Sequence, residues 1–268
     1  MTNSINQAAE EWLGINTNEE DVKKLKAYLW NTYGGDSPGI IDKVFISGEA
    51  AGFLTVNETY FFREPAHFAF LSECLTSMTG HSPGFVRICC AAVATGCEAY
   101  SIAMLFENFN KYLEEPIGYH IDAFDINPKV IETAQKGIYG TRSMREDGNC
   151  FHYLAAPYLK KLPARGQGIY SETGYGLDTS LQKNISFFVH NLMNELPQKE
   201  YDFIFFRNAF IYFTPKSRER VLTNLAGALR EGGILIMGVS ETAGVQHPNL
   251  EPRNKNDVFY FSKPVRQN

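Results

Sequence analysis

The amino-acid sequence predicts an α/β fold: a largely parallel sheet covered by helices on both faces, preceded by a helical region and closed by an antiparallel hairpin. Three observations carry that expectation. From Phe85 onward, short apolar runs alternate with helix-length patterns. The last two runs, Ile234 to Val239 and Val258 to Phe261, have no helix-length pattern between them. The first eighty residues read as helical.

In that first region, Thr17-Asn18-Glu19-Glu20 has the form of a capping box, with the Thr hydroxyl and a Glu carboxylate each satisfying a free backbone N–H. Val22, Leu25, Leu29 and Tyr33 follow at helical spacing, and Gly34-Gly35 ends the element. A second helix starts at Pro65 with the stripe Phe68, Leu71, Leu75 and Met78. The punctuation Thr79 to Gly84 then marks a boundary, giving a helical domain over 1–80 and a second domain over 85–268.

The second domain opens with a strand over Phe85 to Ala91, a turn at Ala94-Thr95-Gly96, and a helix carrying Tyr100, Met104 and Leu113. A strand over Tyr119 to Asp125 leads to a helix with Asn127 as N-cap and Pro128 at its first position. Ile185 to Val189 and Tyr201 to Phe206 are further strands. The next helix starts at Thr214-Pro215, points Val221, Leu222, Leu225 and Leu229 inward, and stops at Gly232-Gly233. Between Gly137 and Lys183 the chain is rich in Gly, Tyr and Pro and has no amphipathic period. A structureless loop of that length is unusual in a compact domain, so a small inserted β-subdomain is expected at about 140–183.

Composition narrows the function. At 268 residues and 44% apolar, the chain can bury a core and carry an accessory domain. A net charge of −5 argues against nucleic acid as the main partner. No apolar run reaches the roughly 18–20 residues that span a bilayer, and the start lacks the features of a signal peptide. Cys74, Cys89, Cys90, Cys97 and Cys150 show no metal-ligand spacing, and adjacent Cys89 and Cys90 read as buried thiols. A cytoplasmic protein without direct membrane insertion and without a metal site is expected. Nothing in the sequence points to an oligomer.

Four segments bear on chemistry. The turn Ala92 to Glu98 lies at the carboxyl end of the first strand, where open α/β sheets bind ligands. It lacks GxGxxG, which weakens a pyrophosphate reading, and Glu98 suits the ammonium of an amino-acid moiety; an ordinary strand-to-helix turn is the other reading. Asp125 ends the next strand, where a carboxylate accepts ribose hydroxyls or serves as a helix cap. Together the turn and the acid favour a nucleoside cofactor with no phosphate clamp, which S-adenosylmethionine meets better than NAD. Thr55 to Glu64 is either a lid over a ligand or a polar loop with core aromatics and a solvated Arg63. Tyr201 to Phe213 puts Arg207, Asn208 and Tyr212 at the binding edge, or buries a strand whose Arg207 pairs with an acid.

In this order, TVNETYFFRE, AAVATGCEAYSIAM, AFDINPKVIETAQKGIY, HNLM, YDFIFFRNAFIYF and GGILIMGVSE resemble the chemotaxis-receptor glutamate methyltransferase (CheR) family from about Thr55 to Glu241. The resemblance implies an S-adenosylmethionine-dependent methyltransferase sheet (Rossmann-like), and a protein-glutamate O-methyltransferase acting on the cytoplasmic region of methyl-accepting chemoreceptors. By the same resemblance, Asn57, Thr59 and Arg63 match a lid motif that contacts cofactor and substrate. Glu98 and Asp125 match acidic cofactor ligands, the latter at the ribose. Asn191-Leu192 and Arg207-Asn208 match segments lining the adenosine and methionine parts, and Tyr212 a tyrosine near the transferred methyl. Arg63 and Tyr212 are the expected catalytic residues, with Arg63 steering the carboxylate and S-adenosylhomocysteine as product. His67 and His190 are expected to be structural or hydrogen-bonding residues.

Two features depart from the family pattern. Cys97 stands where an acidic or amide residue is usual, which implies altered cofactor affinity, an adapted contact or an unimportant site. Lys23, Lys24 and Lys26 form the only basic cluster of a largely acidic N-terminal region, where better-known members dock the receptor through a basic helix. Two other readings compete: a methyltransferase of the same fold acting on another protein or a small molecule, and a non-catalytic cofactor sensor.

Overall fold

The computed structural model describes residues 2–78, 84–145, 151–165 and 172–265. The boundary expected at Thr79 to Gly84 lies outside the described residues except for Gly84, as does Cys150.

The N-terminal region consists of helices α1 (Thr2–Ala8), α2 (Glu19–Tyr33), α3 (Pro38–Ile46) and α4 (Ala51–Leu54), with a π-helical turn at Ala9–Leu13. Helix α2 starts one residue later than the capping box implies. Asn18 is its cap, accepting the Asp21 N–H at 2.9 Å, while the Thr17 hydroxyl donates to Asn6 instead. Asn is as good a cap as Thr and stands one residue nearer the periodic stripe, so it takes the role. Gly34 ends α2 at φ +77, a left-handed turn that glycine adopts without strain.

Helix α5 (Pro65–Met78) follows, then strand β1 (Phe85–Ala91), α6 (Cys97–Asn110), β2 (Gly118–Asp125) and α7 (Pro128–Lys136). Leu113 falls beyond α6 and only packs against the core. The insert carries β3 (Ile138–Gly140), α8 (His152–Ala155), β4 (Leu159–Arg165) and β5 (Glu172–Leu177). These strands form a separate antiparallel sheet in the order β3-β5-β4, the expected small β-subdomain. The chain closes with β6 (Ile185–Val189), β7 (Tyr201–Phe206), α9 (Pro215–Ala228), β8 (Leu229–Met237), β9 (Glu251–Lys255) and β10 (Val258–Ser262).

The main sheet has the order β6-β2-β1-β7-β8-β10-β9. It is parallel from β6 to β8, and β10 runs antiparallel to both β8 and β9. The antiparallel ending holds, and β9 adds an edge strand whose five exposed, mostly polar residues carry no apolar signal.

One stop signal works differently from expected. Helix α9 ends at Ala228, and Gly232-Gly233 lie inside β8, where the register with β7 shifts between Tyr201 and Phe203. The backbone passes so close there that a Cβ on Gly233 would stand 2.8 Å from the Tyr201 carbonyl. Glycine at this bulge admits the strand rather than stopping the helix, and Leu229 is the first strand residue.

Alternating residues of the central strands feed two cores. Cys89, Ala91, Ile204 and Phe206 face α1 to α4 and α9, with Val22, Leu25, Leu29, Phe45 and Leu225 buried among them. Ile88, Cys90, Phe203 and Phe205 face α5 and α6, where Phe68, Leu71 and Tyr100 are buried. Both Cys89 and Cys90 are fully buried, one on each face. Among the described residues no helix is long and apolar enough to cross a membrane.

Candidate functional site

A cavity of about 990 Å³, its open mouth included, lies at the carboxyl ends of β1, β2, β6 and β7. That is the edge at which parallel sheets of this kind hold ligands. Each strand end contributes a piece of the wall: Ala92 to Ala94 and Glu98 after β1, Asp125 and Ile126 after β2, His190 to Leu192 after β6, and Arg207, Asn208 and Tyr212 after β7. The segment before α5 adds Asn57, Thr59 and Arg63. All ten residues singled out in the sequence therefore line one cavity.

The turn after β1 is held in a bent form. Ala92 and Ala94 have φ of +59° and +51°, a region that side chains seldom occupy, and Gly96 stands at +87°. A Cβ on Gly96 would lie 2.8 Å from the Ala134 side chain and 3.1 Å from Phe187, so glycine is needed for the close approach of α7 and β6.

Asp125, 6% exposed, accepts the Ala94 N–H at 3.0 Å and the Asn127 N–H at 2.9 Å, one on each oxygen. Burial pushes its carboxyl above the ordinary range and the backbone N–H groups pull it back. The cap of α7 is Asn127, which accepts the Lys129 N–H at 3.0 Å. Asp125 is thus not the cap. Even with a further backbone N–H from Ile126, the carboxylate is not saturated, and as an acceptor at the cavity wall it suits a ribose hydroxyl as donor.

Arg207 links three elements. Its guanidinium pairs with Glu98 at 2.9 Å and Glu64 at 3.3 Å, donates to the Arg63 carbonyl, and lies 5.7 Å from the Phe68 ring centroid. Both sequence readings of this residue hold together: it pairs with acids and it lines the cavity. Burial raises the Glu98 carboxyl, with Arg207 opposing. For Glu64 burial also works upward, but Arg207 and the Asn208 amide (3.1 Å from Glu64) prevail and hold the carboxyl below its usual range. His67, 3.3 Å from Glu64, is lowered to about 4 by burial and by Arg207, so it is neutral at pH 7.

The segment Thr55 to Glu64 divides between its two readings. Phe61 and Phe62 are fully buried core residues, while Arg63 lines the cavity and donates to the Glu58 carbonyl at 2.8 Å. The Arg63 and Arg145 guanidinium groups lie 5.7 Å and 4.9 Å from the Tyr60 ring centroid. Burial pushes the Tyr212 phenol up. Cys97 is fully buried and its thiol is pushed up to about 12 by burial, so it packs under the turn while Glu98 meets the cavity.

Sequence reasoning missed several residues. Leu13 and Ile15 line the cavity from the N-terminal region, fastened by the Asn16 N–H to the Tyr212 carbonyl (2.9 Å) and by the Asn191 amide to the Trp12 carbonyl (2.6 Å). No local pattern marks them, because only tertiary packing brings them there. His190 lines the cavity edge-on to Phe124, their ring centroids 5.0 Å apart. Glu64 and Glu241 each close one of the family-like segments, which is the local signal that marks them.

The sheet order, its antiparallel ending and a cavity suited to a nucleoside define a methyltransferase fold of the S-adenosylmethionine-binding, Rossmann-like class. Residues 57–259 match the family described as "CheR methyltransferase, SAM binding domain", and the chain belongs to the CheR methyltransferase family, with S-adenosylmethionine as its cofactor. A chemotaxis protein methyltransferase of Borreliella burgdorferi is 32% identical over 70% of this chain and 65% of its own length. Chemotaxis protein methyltransferase 2 of Vibrio cholerae is 32% identical over 70% of this chain and 63% of its own. For the chemotaxis protein methyltransferase of Listeria monocytogenes the figures are 30%, 72% and 68%. The chain thus spans just under two thirds of the first two relatives' length.

Proposed function

We propose that this protein is a cytoplasmic protein-glutamate O-methyltransferase that esterifies glutamate side chains in the cytoplasmic region of methyl-accepting chemoreceptors. The observation that supports it most is the single cavity in which Asp125, the Glu98–Arg207 pair, Arg63 and Tyr212 meet. In this reading Asp125 holds the ribose hydroxyls. Glu98 holds the ammonium of the methionine part, with Asn57, Thr59, Asn191, Leu192, Arg207 and Asn208 completing the cofactor site. In the same reading residues 1–80 form a helical domain that brings Asn57, Thr59 and Arg63 to this site, and the insert at about 140–183 forms a small β-subdomain.

S-adenosylmethionine supplies a methyl group made electrophilic by its sulfonium. A glutamate carboxylate, with a pKa of about 4.3 in water, is already the nucleophile at neutral pH. The site therefore needs no general base. Its task would be to align the incoming carboxylate with the methyl group of a bound cofactor. Arg63 steers the carboxylate through its planar donor fork, and Tyr212 shapes the transfer point. A grip by Arg63 that was too strong would weaken the nucleophile, so it positions more than it stabilises.

The test incubates the protein with methyl-labelled S-adenosylmethionine and chemoreceptor-bearing membranes from its source, then treats the product with mild alkali. Label on a receptor-sized band that alkali releases is the expected result, because carboxyl methyl esters hydrolyse and methylated nitrogen does not. Alkali-stable label would move the target away from carboxylates. Binding of S-adenosylhomocysteine without any transfer would favour a sensor.

A further inference from the structure

Glu241 is a buried acid, and among the described residues it forms no ion pair. It is 5% exposed and closes the short helical turn Val239–Glu241 that follows β8. Its oxygens accept backbone N–H groups instead: Asn208 at 2.6 Å, Ile211 at 3.2 Å and Gly238 at 3.2 Å, with Phe210 contributing a further one. A ring of backbone N–H groups around an anion is a favourable arrangement, and charge-assisted bonds of this kind are stronger than neutral ones.

The donors are unevenly placed. Asn208, Phe210 and Ile211 all belong to the turn that leaves β7, and that turn carries three cavity residues, Asn208, Ala209 and Tyr212. Asn208 is held there at φ +59°, a conformation that needs support from outside the residue. The approach is also kept clear: a Cβ on Gly238 would stand 2.6 Å from the Glu241 carboxylate and 2.9 Å from the Asn208 amide. Burying a carboxylate without a cation is costly, and what offsets it here is its set of backbone N–H hydrogen bonds, most of them from one turn.

We propose that Glu241 is a positioning residue for methyl transfer: by gathering the N–H groups of the 208–211 turn, it holds Asn208 and Tyr212 at the cavity. The inference rests on the reading that methyl transfer takes place in this cavity. Glu241 itself does not line the cavity; it acts through the turn.

The experiment uses the full chain, with Glu241→Gln, Glu241→Asp, Tyr212→Phe and the Glu241→Gln/Tyr212→Phe double variant. Gln keeps the size but sets an NH2 group against N–H donors, whereas Asp keeps the charge and retracts it. Amide hydrogen exchange, calorimetric affinity for S-adenosylhomocysteine, and kcat and KM of methyl transfer are measured on each. In Glu241→Gln, exchange should quicken about tenfold or more at residues 208–211 and stay as in the parent elsewhere. Its kcat should fall roughly 10- to 100-fold, as small misplacements of reacting groups do, and S-adenosylhomocysteine affinity should fall with it, because Asn208 is read as part of the cofactor site. Glu241→Asp should recover part of the loss, and the double variant should be no slower than its slower parent, since both changes act through one group.

Unchanged exchange, a kcat within about threefold of the parent, or fully additive effects would each overturn the proposal. So would a Glu241→Gln protein that does not fold, which would make the residue a requirement of the whole fold. If the parent transfers no methyl group, the functional reading fails separately, and exchange in Glu241→Gln still decides whether this acid holds the turn.

Discussion

Replacing Arg207 with Met tests how the site tolerates its own charges. Arg207 has a side chain 2% exposed and stands between Glu98, 13% exposed, and Glu64, 21% exposed. Removing the guanidinium leaves a buried carboxylate with no cation beside it, a class of change that costs about 3–5 kcal/mol. At about 2–4 °C per kcal/mol for a protein of this size class, Tm should drop by roughly 6–20 °C near neutral pH.

The pH dependence has a definite sign. Burial already raises the folded-state carboxyl of Glu98 while Arg207 opposes it, so loss of Arg207 raises it further. A carboxyl raised by folding stabilises fully below its unfolded pKa, and that contribution is lost as pH rises through the folded pKa. Glu64, lowered in the parent despite its burial, contributes in the opposite sense, above its unfolded pKa, and Arg207→Met removes that contribution. The deficit should therefore be small at about pH 4.5 and grow toward pH 8. Thermal and urea unfolding of parent and variant at the two pH values measure it, and adding Glu98→Gln should restore part of the loss at high pH. A deficit equal at both pH values, or a double variant no more stable than Arg207→Met, would refute the reasoning.

Four other perturbations have expected outcomes. Asp125→Asn, which keeps the shape of the side chain, should weaken S-adenosylhomocysteine binding roughly 10- to 150-fold by calorimetry, the value of one charge-assisted hydrogen bond; an unchanged Kd removes Asp125 from the ribose. Arg63→Ala should lower kcat at least about tenfold while Kd for S-adenosylhomocysteine moves far less, and near-parent turnover would end its steering role. Gly48→Ala should cost about 1–3 kcal/mol of stability and weaken S-adenosylhomocysteine binding. Gly48 has φ +78°, and a Cβ there would overlap the Ile126 carbonyl beside Asp125, so parent-like Tm and Kd would contradict this. Asn18→Ala should lose about 1 kcal/mol in urea unfolding while Thr17→Ala loses little, the reverse ranking restoring Thr17 as the cap.

Much of the architecture is legible in the sequence because its signals are local. The strands Phe85–Ala91, Ile185–Val189 and Tyr201–Phe206 coincide with their apolar runs, and Asn127-Pro128 and Thr214-Pro215 open their helices as such pairs should. Edge strand Glu251–Lys255 escaped because both its faces meet solvent and no apolar alternation marks it. Gly232-Gly233 misled because a glycine pair signals a stop or a bulge equally well, and only the pairing with β7 distinguishes them.

The site divides in the same way. The sequence by itself determined which residues stand at the strand ends, since a strand's last residue and the turn after it are consecutive in the chain. Tertiary structure alone decided the charges and partners: Glu64 and Glu98 meet on Arg207 across 143 and 109 residues of chain, and Leu13 and Ile15 reach the cavity from the N-terminal region. A carboxylate's protonation and a cavity's wall depend on what is packed beside them, and that neighbourhood exists only once the sheet has brought distant segments together.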